Sequence, residues 1–357
     1  MICLLQSLQA CISWEQCKDL PVAMCSGQSV VIDGKVYFGG GKTENEGDCY
    51  LVYCYDPSQD TWTTLPPLPV RYFGLGQFSG KLIAVGGETN LSGSEPWMRN
   101  SREVYTFDAK AWKQIIPSMS SANLHPAVIS HKSMLVVAGG EHLDKVTKSV
   151  EVFKLMERLW YKTNMNSLPS ACFGLSIVCS DSKRKRYHIL GGQNDQQNLN
   201  LVMQVSVDDF HYNAEQPKST ADSILRRVPS SPHLLGKELS SSVEDLRRGA
   251  TYLRKKQTLN SPWNMLPCTP TYSPAAAMLA GSLIAIGGWD KPGGGTPQTK
   301  ILKYSSVIKS WIYIGDLPAP RAKTTAAVLS STEVLVIGGW DGISNTQVVY
   351  KLNLYLE

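Results

Sequence analysis

The 357-residue chain has no apolar run approaching the roughly 20 residues that a membrane-crossing helix needs. Met1 to Ala10 offers only a short apolar patch (Ile2, Leu4, Leu5) with no basic segment ahead of it, so no secretory signal is expected. The nine cysteines are odd in number, share no spacing and form no C-x-x-C pair. That fits reduced thiols in a cytoplasmic protein better than a disulfide framework or a zinc site. The six histidines (His125, His131, His142, His188, His211, His233) show no paired spacing, and a metal centre needs several ligands converging. G-x-S-x-G and the P-loop are absent as well. No catalytic residue, metal or cofactor is therefore expected. Charge is also scarce: His211 to Pro262 holds nine Lys+Arg and five Asp+Glu, net +4 of the chain's +5, so the remainder is nearly neutral and no nucleic-acid partner is expected.

What is present is a repeat. From Val30 to Trp62 the chain reads VVIDGKVYFGG, a polar loop, then YLVYCYDPSQDTW. Asp33-Gly34 between apolar runs signals a type I′ hairpin, and the whole stretch predicts a four-stranded antiparallel unit. Double glycines after apolar runs recur at Gly39, Gly86, Gly139, Gly191, Gly287 and Gly338, spaced 47, 53, 52, 96 and 51. Tryptophans followed by proline recur at Trp14, Trp62, Trp112, Trp160, Trp263 and Trp311, spaced 48, 50, 48, 103 and 48. Two independent markers thus count six units and agree that one is stretched by about 50 residues. Such markers have scaffold jobs: glycine pairs let backbones approach closely, and the tryptophans fill the space between sheets.

A four-stranded repeat of about 50 residues, with an apolar strand, Gly-Gly, an aromatic residue with Asp, and then Trp, resembles the kelch motif. Tyr55-Asp56 and Phe107-Asp108 match the aromatic-Asp pair best, while Phe153 and Tyr304 keep only the aromatic. The resemblance covers nearly the whole chain. It implies an all-β, six-bladed kelch β-propeller, monomeric, with blades at about 22–67, 72–117, 124–169, 172–267, 272–318, and 322–357 with 13–21. Residues 1–12 read as a loose tail. Ser13 to Pro21 has the Trp and Leu-Pro of a fourth strand without the three before it, and the C-terminus has the complementary lack. The N-terminal strand is expected to complete the last blade and close the ring, which removes exposed edges. With the blades using almost all of the chain, no room is expected for a BTB or BACK module.

Residues 211–262 read as a disordered basic insertion in blade four, rich in Ser, Pro and charge. Within them Ser241-x-x-Glu244 caps a possible helix with Val243, Leu246, Ala250 and Leu253 on one face, and Arg227-x-x-Ser230 and Ser231-Pro232 resemble phosphorylation sites.

In a blade whose strands alternate up and down, the loops between strands two and three and those between blades open on one face. Arg71, Tyr72, Asn123, Tyr272, Trp289, Arg321 and Trp340 fall there. Arg, Tyr and Trp dominate interface energies, and the resemblance to BTB-adaptor kelch propellers implies peptide docking through such residues. Inter-blade packing is the competing use of Trp289 and Trp340, and a structural role that of Arg71 and Arg321. The expected function is a non-catalytic scaffold binding a protein or peptide. The resemblance extends that to a substrate-recognition adaptor with a ubiquitin-ligase component, or to an actin-associated structural module. A sugar-type propeller enzyme is the remaining alternative, since galactose oxidase shares this kind of fold. The Glu-x-x-x-Asp-x-x-x-His iron motif of plant specifier proteins is absent.

Overall fold

The computed structural model describes residues 10–89, 100–114, 116–142, 145–162, 166–181, 186–210 and 261–356. The expected insertion at 211–262, with its possible helix and phosphorylation sites, lies outside the described residues except for its last two positions.

Six antiparallel sheets form the blades. Their innermost strands are Gln28–Ile32, Gly74–Phe78, Ala127–His131, Phe173–Asp181, Ala275–Leu279 and Thr325–Val328. Each touches the next, and the last touches the first. The ring is therefore closed, as a six-bladed propeller.

The core is not central but divided among the blade junctions, with one buried cluster between each pair of neighbouring sheets. Strand Met134–Ala138 shows why its sequence is a continuous apolar run. Val136 and Ala138 point into the cluster shared with blade four, while Leu135 and Val137 point into the one shared with blade two. Alternate residues of a strand face opposite sides, and here both sides are covered.

The ring closes through strand Ala10–Gln16, which pairs antiparallel with Val349–Leu356 from Ala10↔Leu356 to Gln16↔Tyr350. This strand starts three residues inside the stretch read as a tail and ends before Pro21. The reason is packing: Ile12 and Trp14, two residues apart and so on one face, join Leu352 and Leu354 between blades five and six. Cys17 and Leu20 then turn into the next junction, where their N–H groups bond Val349 O (3.0 Å) and Gln347 O (2.8 Å).

The tryptophan markers act as clasps between neighbouring blades. Each indole N–H donates to a backbone carbonyl at the rim of the preceding blade: Trp14 to Asp316 (3.0 Å), Trp62 to Lys18 (2.9 Å), Trp112 to Pro66 (2.9 Å), Trp160 to Pro117 (2.7 Å), Trp263 to Asn166 (2.8 Å) and Trp311 to Pro267 (2.9 Å). Each ring also meets an aromatic residue of its own blade, which is Tyr350, Tyr55, Phe107, Phe153, Phe210 and Tyr304 in the same order. Phe210 and Tyr350 complete a set that the aromatic-Asp pattern reveals only in part.

Candidate functional site: the loop face and channel mouth

The same small device recurs where each blade is reached. A residue of the crossover forms a β-bridge with the residue just past the glycine marker of that blade: Cys25↔Lys42, Arg71↔Glu88, Leu124↔Glu141, Phe173↔Gln193, Tyr272↔Trp289 and Ala322↔Trp340. These pairs put the within-blade loops and the crossovers on one face. The residue after the bridge is left-handed in all six blades: Ser26, Tyr72, His125, Gly174, Ser273 and Lys323 have φ between 47° and 61°. Non-glycine residues pay a conformational penalty there, held by the surrounding hydrogen bonds. Ser26 N–H bonds Lys323 O (2.8 Å), His125 N–H bonds Tyr72 O (2.7 Å) and Gly174 N–H bonds His125 O (3.3 Å). All of these residues except Tyr72 line the central channel.

The residue before the bridge is buried in every blade: Met24, Val70, Asn123, Cys172, Thr271 and Arg321 are 0–3% exposed. Its carbonyl commonly accepts an N–H from the glycine pair of the preceding blade, as in Gly87 to Asn123 (2.9 Å), Gly140 to Cys172 (2.9 Å), Gly288 to Arg321 (2.8 Å) and Gly339 to Met24 (2.9 Å).

The seven residues expected to bind a partner thus occupy three repeat positions. Asn123 and Arg321 stand before the bridge, inside the protein. The Arg321 guanidinium bonds Pro320 O (2.9 Å) and lies 5.6 Å from the Tyr350 ring. Arg71, Tyr272, Trp289 and Trp340 stand at the bridge. Of these, Trp289 is 8% exposed, and Arg71 is paired with Glu88 at 3.0 Å. Tyr72 stands after the bridge, with its ring against His125.

The two Gly-Gly-Trp-Asp stretches have a local explanation. Asp341 accepts the N–H groups of Ile343 (2.8 Å) and Ser344 (2.9 Å), which hold its carboxyl below the usual carboxylate range, and Asp290 accepts Thr296 N–H (2.8 Å). Each Asp shapes its own loop. The loop read at 289–298 is itself a hairpin, with Trp289 opposite Pro297 and Lys291 opposite Gly294. Ser120 and Ser121, also on the crossovers, donate three hydrogen bonds (2.7–2.9 Å) to the buried Glu151 carboxylate.

The structure brings together an arc of cations and rings. The Tyr72 ring lies 5.0 Å from His125, and His125 lies 6.1 Å from Phe173. The Arg71 guanidinium and the Lys42 ammonium approach the Tyr72 ring at 5.0 and 5.8 Å. Lys42, His125 and Phe173 come from three different blades, so no local sequence signal joins them. Among the described residues, no group of three or more His, Cys, Asp or Glu gathers as metal ligands.

His125 is 5% exposed and pushed down to about 3 by burial, with the Lys42 ammonium adding to the effect. His188, 8% exposed, is pushed down to about 4 by burial and then by Arg186. Both rings are neutral in the folded protein, whereas the unfolded chain protonates them below about pH 6.5. Their contribution is therefore complete above pH 6.5 and is lost as the pH falls toward 4. Each withdraws about 1.4 kcal/mol per pH unit, roughly 4 kcal/mol for the pair at pH 5. Thermal melts between pH 8 and 4.5 read this directly. His188→Gln halves the histidine part of the acid slope, and an unchanged slope would remove His188 from the account.

Comparison with known proteins agrees with the repeat. The Kelch motif family model matches residues 24–69. A protein described as an F-box/kelch-repeat protein of Arabidopsis thaliana is 30% identical over 159 residues, 42% of this chain and 38% of its own length. Human Kelch-like protein 25 is 31% identical over 138 residues, 36% of this chain and 23% of its own. Alpha-scruin of Limulus polyphemus is 26% identical over 37% of this chain and 15% of its own. The matched segments thus span well under half of these relatives. The structure of YjhT superposes with a TM-score of 0.64 at 15% identity, covering 95% of this chain and 99% of that one, which shows a shared fold. The chain is a kelch-repeat β-propeller. Among the described residues, no helix is long and apolar enough to cross a membrane.

Proposed function

We propose that this propeller is a non-catalytic protein-interaction scaffold of the cytoplasm, taking a peptide segment of its partner across the loop face. The observation that carries this reading is the arc Lys42–Tyr72–His125–Phe173, which crosses three blade junctions with Tyr72 and Phe173 half-buried and Lys42 exposed. Rigid aromatics beside cations on a fixed scaffold are the usual anchors of interfaces. Of the residues named from sequence, Arg71, Tyr72, Tyr272 and Trp340 are only partly buried, and Tyr72 and Trp340 are taken for the test. Substrate recognition for a ubiquitin-ligase component is the role that the F-box/kelch-repeat relative favours.

The test is affinity capture of a defined partner by the full chain and by a Tyr72→Ala/Trp340→Ala variant with an unchanged melting temperature. Loss of one aromatic anchor is worth about 2 kcal/mol, roughly thirtyfold in affinity. Equal binding by both proteins contradicts the loop-face assignment.

A further inference from the structure

The central channel encloses a cavity of about 440 Å³, within the range of small-molecule sites. Its lining contains no Asp or Glu, but it contains Lys42, Lys132 and Lys323. In a ring whose charges nearly balance, that segregation is a local property of the channel. Among the described residues, none of the three ammonium groups has a carboxylate within ion-pair distance.

The main chains of Lys42 and Lys323 are linked through two neighbouring residues. Lys42 and Cys25 exchange both N–H···O bonds (2.8 and 3.0 Å), and the next residue, Ser26, donates to Lys323 O at 2.8 Å. Their backbones therefore meet at the junction of blades one and six, at the loop-face mouth, and the Lys42 ammonium reaches from there toward the Tyr72 ring (5.8 Å). Lys132 sits in the hairpin after strand Ala127–His131, at the opposite end of the channel. His125 is neutral and adds no charge. Between the two ends the wall is mixed: apolar Leu75, Val128 and Ile177 stand beside Gln77 and Ser130, whose amide and hydroxyl have no hydrogen-bond partner among the described residues.

We infer that the channel binds a small hydroxylated organic anion, a carboxylate or phosphate ester, with the charged group drawn to the loop-face end, where Lys42 and Lys323 both line the wall. It shares Lys42 with the protein-binding reading but neither Tyr72 nor Trp340, which lie outside the lining, so different substitutions test the two. Field focusing in a low-dielectric cleft lined by one sign of charge favours such an occupant, and the hydroxyl and amide groups of the wall orient it.

The experiment is calorimetry on the full chain at constant ionic strength, with glucose 6-phosphate, gluconate and glucose as probes. The two anions bind saturably and neutral glucose does not. Binding by only one of the two identifies the charged group as phosphate or carboxylate. Lys42→Gln and Lys323→Gln each weaken binding about tenfold, the size of one charge-assisted hydrogen bond. Lys309→Gln, on the outer hairpin turn of blade five, leaves it unchanged. No saturable binding of either anion up to 10 mM overturns the inference (roughly the weakest affinity that such contacts produce), as does equal binding of glucose or full affinity in a Lys42→Gln/Lys323→Gln double variant. Those results would leave a channel holding water only, without touching the Tyr72/Trp340 test.

Discussion

A chain lacking residues 1–16 is recovered unfolded or aggregated, although its five complete blades are untouched. Strand Ala10–Gln16 contributes seven residues of ladder to Val349–Leu356. It also brings Ile12 and Trp14 into the cluster between blades five and six, and the Trp14 indole into its bond with Asp316 O. Ile12 is fitted closely enough that a Cβ on Gly315 would lie 2.7 Å from its Cδ1. The Ile12 and Trp14 side chains are partly buried, so each adds somewhat less than the roughly 1.5–3 kcal/mol of full burial. The ladder adds to this, and the total rivals the roughly 5–15 kcal/mol that holds a typical domain together. Removal also leaves an eight-residue edge strand unpaired, a template for association. Size-exclusion chromatography and denaturant unfolding check this. A monomer melting within a few degrees of the full chain would show that the ring does not need its clasp. Trp14→Ala alone is expected to cost about 2–3 kcal/mol, below the range for a fully buried Trp because the ring is partly exposed.

Gly139→Asn is the second large effect, at roughly 3–5 kcal/mol. Gly139 has φ +66°, and a Cβ there would run into the backbone carbonyl of Cys172, which already accepts Gly140 N–H at 2.9 Å. The obstacle is main chain from the next blade, so the strand or the crossover must move, and the hydrogen bond with it. Gly34 supplies the control. It has φ +76°, but nothing lies within 4 Å of its would-be Cβ. Asn tolerates the left-handed conformation, so Gly34→Asn is expected to cost under about 1 kcal/mol. Urea denaturation of the two variants separates conformational strain from collision. Equal losses would mean that close approach between blades is not what the glycine pair is for.

This contrast explains which features were legible in the chain. The glycine pairs and tryptophans repeat because each blade meets its neighbour through the same backbone contacts, and those contacts admit few residue types. The count of six, the stretched fourth unit and the closure by an N-terminal strand followed from their phase alone. The channel mouth left no such trace. Ser26, Tyr72, His125, Ser273 and Lys323 share one left-handed position, yet none is a glycine, so nothing in their identities announces it. Asn123 and Arg321 read as surface residues of a crossover but are 1% and 3% exposed. Their position is covered by the glycine pair of the blade before.

The sequence by itself determined the fold, because propeller architecture is imposed by short-range periodicity and by a few residues that must fit a repeated junction. Only the tertiary structure decided the site. Lys42, Tyr72, His125, Phe173 and Lys323 belong to different blades, and their meeting depends on how the ring closes. Burial and charge at the channel mouth are properties of neighbouring sheets acting together, and no single stretch of chain encodes them.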